Sequence, residues 1–182
     1  MSNPTAPTTA EPATPLTAFS QCHEGILSQL AAFAELPALV SAADRARGIA
    51  QQTLALFEPG VLEHHRDEEA ELFPQTERSA VPGVEADWVC AMAQRLTREH
   101  RTIEALWNRV KPGVKLAAAG KPVELDGLVI AELVRAYTAH ARFEEEHFLP
   151  VAHELLGRNS NHMAALGLSL HMRHMPAPVG YI

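Results

Sequence analysis

Two stretches of the chain carry the same chemistry-bearing pattern. His64-His65-Arg66-Asp67-Glu68-Glu69-Ala70-Glu71-Leu72-Phe73-Pro74 and His140-Ala141-Arg142-Phe143-Glu144-Glu145-Glu146-His147-Phe148-Leu149-Pro150 both read His-x-x-x-Glu-Glu-x-x, then two bulky apolar residues, then Pro. On a helix a four-residue step turns roughly 400° and rises about 6 Å, so His64 and Glu68 share a face, as do His140 and Glu144. A neutral imidazole and a carboxylate one turn apart can hold a hard-to-borderline metal ion from one side. Two such helices facing each other supply most of a two-metal site.

A pair of metals needs further ligands, and two other apolar-striped segments offer one histidine each. Arg98-Glu99-His100 lies among Leu96, Ile103, Leu106 and Trp107, and Cys22-His23-Glu24 among Phe19, Ile26 and Leu27. The candidate set is His23, His64, His100 and His140, with Glu68 and Glu144 bridging. Taken singly, His-x-x-x-Glu is a common surface pair and a lone histidine on an apolar face is usually a core residue. Two copies with the same flanks are hard to obtain by accident. Burying four imidazoles and two carboxylates without a cation would cost several kcal/mol.

Neighbouring groups receive lesser roles. His65 and Glu69 fall about 100° round from His64 and Glu68, which places them at the rim. Glu71 and His147, seven residues past the ligand histidines, return to the ligand face in a regular helix, so they could meet as an outer hydrogen-bonded pair or a secondary cation site. Glu145 and Glu146 belong to a solvated face. Tyr137, one turn before His140, packs in the core or hydrogen-bonds near the site. Cys22 reads as a small buried residue, and His171-Met172-Arg173-His174-Met175 as an ordinary helix end rather than a soft-metal tract.

The elements that must position these residues are helices. Apolar residues recur at helical spacing from about Thr17 to Leu36, ending at Pro37; Ser41 could cap a second helix through Phe57. Pro59-Gly60 breaks or kinks it before it resumes through Phe73. A third helix spans roughly Val84 to Val110, ahead of Lys111-Pro112-Gly113. A fourth runs from about Val123 to Leu156 and closes at Gly157, and a short fifth is expected near Asn161 to His174. Strand alternation is absent. The expectation is an all-α, antiparallel four-helix bundle over 16–157, preceded by a Pro/Thr/Ala-rich flexible arm (1–15) and followed by a short C-terminal helix and tail (158–182).

Composition narrows the classes. The chain has 182 residues, 47% of them hydrophobic, enough for one domain with a core and without an apolar run of membrane-spanning length. A net charge of −7 disfavours nucleic acid and anionic membrane as partners. The first fifteen residues lack the basic start of a secretory signal. Two cysteines are too few for a disulfide scaffold, so a cytoplasmic setting is expected. A ferritin-type site needs Glu-x-x-His on two helices, and only Glu144-x-x-His147 is available. Structural zinc wants closed Cys/His sets that these cysteines do not make. No nucleophilic triad or phosphate loop is present.

The combined pattern His…His-x-x-x-Glu-Glu…Leu-Phe-Pro…Glu-His…His-x-x-x-Glu…Leu-Pro, over about residues 17–157, resembles the hemerythrin-like HHE cation-binding domain. The resemblance implies a non-heme di-iron centre bridged by two carboxylates and an oxo or hydroxo group, with His23 and His64 on one iron, His100 and His140 on the other, and Glu68 and Glu144 spanning both. The oxygen-carrying members have two histidines a turn apart on the third helix; here the residues one turn from His100 are Leu96 and Glu104, and Glu104 either replaces the missing ligand or is a solvated charge. Iron-cluster repair relatives have a cysteine-bearing N-terminal region that this chain lacks. The family usually has apolar residues where this chain has Glu71 and His147. Three functions follow: binding or sensing of O2, NO or peroxide; an enzyme or iron donor using the same centre; or a metal-stabilised interaction module. Other divalent metals could fill the site in a preparation. A redox partner is left unspecified, and the protein is read as a monomer or homodimer.

Overall fold

The computed structural model describes residues 15–158, with side chains from Cys22 onward. All its regular structure among the described residues is helical: α1 (Pro15–Ala55), a π-helical turn (Leu56–Val61), α2 (Leu62–Asp67), a second π turn (Glu68–Leu72), α3 (Phe73–Ser79), α4 (Val84–Ala118), α5 (Gly127–Phe143), a third π turn (Glu144–Phe148) and α6 (Leu149–Gly157). The expected fifth helix, the His171–Met175 tract and the N-terminal arm up to Thr14 lie outside the described residues.

The chain divides into two compact units, Met1–Arg45 and Ala46–Ile182, a boundary inside the stretch expected to be a single bundle. In the N-terminal unit the expected stop at Pro37 and restart at Ser41 do not occur. α1 passes through Pro37 as helix. A proline removes one N–H and crowds the carbonyl four residues back, but it ends a helix only where neighbouring residues can turn the chain, and Glu35-Leu36-Pro37-Ala38-Leu39 contains no glycine or asparagine to do so. Described side chains of this unit are all exposed, among them Ile26, Leu27, Leu30, Phe33, Leu36, Leu39 and Val40. Cys22 is exposed as well, not buried as expected. Among the described residues one helix, within Cys22–Ser79, is long and apolar enough by composition to cross a membrane, with a mean hydropathy of 1.5, against the expectation of no such run. By itself that is weak evidence of a membrane.

Among its described residues the C-terminal unit supplies three rods; the remaining helix of the expected four-helix bundle, from about Thr17 to Leu36, falls in the N-terminal unit. The first runs through the π turns to Ser79, the second is α4, and the third is α5 continued by α6. Phe57 stacks on Trp107 at 4.3 Å, while Phe73 reaches the ring of His100 at 5.9 Å, so the first rod runs antiparallel to α4. Val129 packs with Val110 and Val114, and Leu155 and Leu156 pack with Val89 and Met92, so the third rod is antiparallel to α4 too. Two apolar clusters result. One gathers Leu72, Phe73, Leu96, Phe148 and Leu155; the other gathers Phe57, Val61, Ile103, Trp107 and Leu133. The histidines and carboxylates lie between them in the sequence of every rod.

Turns obey local chemistry. Gly83 (φ 109°) and Gly120 (φ 66°) take the left-handed conformations that end the first rod's connection and α4. α4 continues through Pro112-Gly113, which was expected to stop it. Gly113 instead lets the segment before α5 approach closely: a Cβ there would meet Leu125 at 2.8 Å. Asp126 caps α5, accepting from the amides of Leu128 and Val129 at 3.1 Å, so the helix starts later than Val123.

Candidate metal centre

Both copies of the motif open into a π turn that begins at the motif glutamate, Glu68 in one and Glu144 in the other. Each turn is followed by an α-helix with proline in its first two residues, Pro74 and Pro150. A proline cannot donate to the carbonyl four residues back and clashes with it, and a widened turn relieves both problems. Pro37 and Pro112 sit in α-helix without one, so proline permits the π turn without dictating it. Single π turns are frequent at functional sites.

Three imidazoles, one from each rod, converge. His65, His100 and His140 are all buried, and each offers a ligand atom within 4.8 Å of the others. His65 and His100 are stacked, with centroids 3.9 Å apart and rings within 4° of parallel, and His140 meets His100 edge-on at 4.8 Å. Each has its Nδ1 beside a carboxylate oxygen: His65 with Glu104 at 3.3 Å, His100 with Glu69 at 2.7 Å, His140 with Glu99 at 3.2 Å. A carboxylate accepting from Nδ1–H fixes the tautomer, turns the ring and frees the Nε2 lone pair. Arg101 binds both Glu69 and Glu104, tying two of these anchors together. A surface cleft of about 530 Å³, lined by Arg66, Glu69, Arg101, Glu104 and Asn108, lies over them.

A second set, His64, Glu68 and Glu144, satisfies the same distance criterion. Glu68 stands where the sets meet: Oε1 is 3.0 Å from His64 Nε2 and Oε2 is 3.3 Å from His100 Nε2. These are ion-pair distances without hydrogen-bond alignment. Both Glu68 oxygens, His65 Nε2 and His100 Nε2 are buried with no hydrogen-bond partner. An unsatisfied buried polar atom costs about 1–3 kcal/mol, so four together would cost several. Atoms that converge without bonding one another suit a cation.

The electrostatics agree. Burial and the adjacent Glu68 push the Glu144 carboxyl well above the ordinary range. Burial also opposes ionisation of Glu68, but His100 and Glu144 outweigh it and hold its carboxyl low. Glu68 is favoured ionised and Glu144 neutral, and a cation between them would let both ionise. Burial and the charge of His100 press His65 down to about 4, and burial likewise lowers His140. His100 is raised: burial opposes its protonation, but Glu68 and Glu69 on its two nitrogens prevail. Burial, then Glu68 and Glu144, push the Tyr137 hydroxyl up; its ring lies 6.0 Å from His140.

Of the residues expected at the site, His64, Glu68, His100, His140 and Glu144 are brought together, with His64 half-exposed at the edge. His23 belongs to the N-terminal unit and is exposed. Glu104 contacts His65 and Arg101. His147 is exposed against the ring of Phe143, Glu71 is half-buried, and among the described residues no hydrogen bond or ion pair joins them. The π turn adds a residue to the path, so the inward position two turns on is the eighth rather than the seventh, occupied by Leu72 and Phe148, both buried. His65, expected at the rim, is 1% exposed and central. The signal for it was its place beside His64 in a motif whose second copy has alanine there, with Glu104 one turn past His100.

Among the described residues the rods define an all-helical protein whose imidazoles and carboxylates gather in two groups that could hold a metal ion. Residues 14–152 match the hemerythrin HHE cation-binding domain model, and the chain belongs to that family. Comparisons with curated proteins and with solved structures found no match.

Proposed function

We propose that the protein is a non-heme di-iron protein that binds or senses a small diatomic or oxidant, O2, NO or peroxide. The observation that carries this reading is the set of buried, unpartnered donor atoms on His65, His100 and Glu68, flanked by a second set on His64, Glu68 and Glu144. The donors are all nitrogen and oxygen, which suits iron, manganese or zinc better than thiophilic metals. Glu68, with an oxygen toward each set, and Glu144 beside it would bridge; the histidines would hold the outer sides. Bound iron supplies reversible coordination of the small ligand and the electrons that go with it. The chain does the rest. Glu69, Glu99 and Glu104 keep three rings oriented, the two apolar clusters keep bulk water from the buried donors, and half-exposed His64 leaves one side accessible. A cytoplasmic location, where reductant would keep the metals ferrous, is part of the proposal.

Anaerobic reconstitution with Fe(II), metal analysis and stopped-flow mixing with O2 or NO test the reading. Two irons per chain and a stable charge-transfer band are expected. Rapid irreversible oxidation with product release would favour an enzyme or iron donor. Absence of any exogenous-ligand spectrum would leave a metal-stabilised interaction module.

A further inference from the structure

We propose that His65 is itself a metal ligand, completing a three-histidine pocket with His100 and His140 on three different rods, and that Glu104 anchors it instead of binding metal. The proposal rests on the reading of the site as a metal centre and names a donor outside the repeated motif. Four observations carry it. His65 has no solvent to satisfy it, being 1% exposed. Its Nδ1 faces Glu104 Oε1 at 3.3 Å, so the ring proton sits on that side and the Nε2 lone pair points away. That Nε2 is buried without a hydrogen-bond partner. Its ring lies parallel to that of His100, whose Nδ1 is held by Glu69, and Arg101 binds both anchoring carboxylates. Each of the three histidines offers a ring nitrogen within 4.8 Å of the others, and with each Nδ1 beside a carboxylate the nitrogen left for a metal is Nε2. Because in-plane lone pairs of stacked rings run side by side, the His65 or His100 ring must tilt for both to meet one ion. A core histidine without a metal role would aim its second nitrogen at a protein donor; the neighbours of this one, His100 Nε2 and both Glu68 oxygens, have the same need.

Glu104 cannot serve both purposes. Oε1 is shared between His65 Nδ1 and Arg101 Nη1, and Oε2 lies 2.9 Å from Arg101 Nη1. Its carboxylate faces the far edge of the ring from the free lone pair. It is a positioning residue.

The experiment uses the full chain, stripped of metal and titrated with Co(II) against a competing chelator, with stoichiometry and the visible spectrum as readouts, for wild type, His65→Ala and Glu104→Gln. Wild type should bind two ions. His65→Ala should lose or weaken one by more than about 100-fold, with a changed ligand-field spectrum, and exogenous imidazole should restore it. Glu104→Gln should keep both ions and weaken one by about 10–100-fold, as outer-shell partners do. Retention of both ions at wild-type affinity and spectrum in His65→Ala would overturn the assignment while leaving the metal centre standing. A wild-type chain that binds no Co(II) or Fe(II) would overturn both. If His65→Ala fails to fold by circular dichroism, nitrogen-15 NMR of Zn(II)-loaded wild type decides: ligation shifts the His65 Nε2 resonance on loading, and an unmoved resonance refutes it.

Discussion

The two motif copies share a spacing, a π turn and a closing proline, yet they bury different histidines. In the second copy the motif histidine itself, His140, points inward. In the first, the motif histidine His64 is half-exposed and its neighbour His65 takes the interior. Both residues can reach Glu68's face, one four residues before it and one three, since either step returns to the same side of a helix. A doubled histidine therefore lets the first rod give a ring to each donor set, where the third rod, with alanine after His140, gives only one ring. Repetition in sequence marks the site; the departure from repetition marks its asymmetry.

The largest test concerns what the π turns place on the inner face. Phe148→Ala should destabilise the metal-free protein by about 3–5 kcal/mol and Leu72→Ala by about 2–5 kcal/mol, measured by urea unfolding. Phe148 should cost the more, being fully buried edge-on to Phe73 at 5.0 Å. Equal, small losses would mean that these positions do not face inward in solution.

Next is the inequality of the bridging glutamates. Glu68 has an oxygen toward His64 and another toward His100, whereas the Glu144 contact with His140 is long, at 3.9 Å. Glu68→Ala should weaken metal binding by about 100-fold or more, beyond the range of an outer-shell partner, and Glu144→Ala by less. Metal titration of both variants checks the order, and a reversal would move the centre toward the second copy.

Much of this was legible in the sequence. The helical periodicity, the duplicated motif and four of the residues gathered at the site, His64, Glu68, His140 and Glu144, need only spacing arguments, because a regular helix makes neighbours of residues four apart; His100 needed only its place on an apolar stripe. What was not legible depends on breaks in regularity. Pro37 reads as a stop on propensity alone, yet α1 passes through it. Glu71 and His147 read as inward because seven residues is two turns of an α-helix, and the π turn adds one. His65 reads as rim for a related reason: an assignment anchored on His64 assumes a single inward angle, and the two sets subtend two.

The copies also differ in proton linkage. In the folded, metal-free protein His65 is held at about 4 by burial and by His100, below its ordinary 6.5. Between those values the unfolded chain binds more protons, so this contribution to stability is complete above about 6.5 and is lost as pH falls toward 4. One such group gives a slope of up to about 1.4 kcal/mol per pH unit. His140 is lowered too, with the same sign, whereas raised His100 opposes both, its contribution being present at low pH and lost as pH rises. Urea unfolding across pH 4–7 should show a shallower rise in stability with pH for His65→Gln than for wild type, and an unaltered slope would mean the His65 ring is not held neutral.

The smallest effect belongs to the residue a regular helix would have put inside. His147 is exposed beside Phe143, outside both donor sets. His147→Leu should leave the metal-loaded spectrum unchanged and alter stability by no more than about 0.5 kcal/mol, as surface substitutions do. Its counterpart in the first copy, Glu71, should behave the same way when changed to Gln. A shifted spectrum in His147→Leu would require the segment from Glu144 to Phe148 to relax from a π turn to regular helix when metal binds, carrying position 147 back to the ligand face and turning Phe148 away from Phe73.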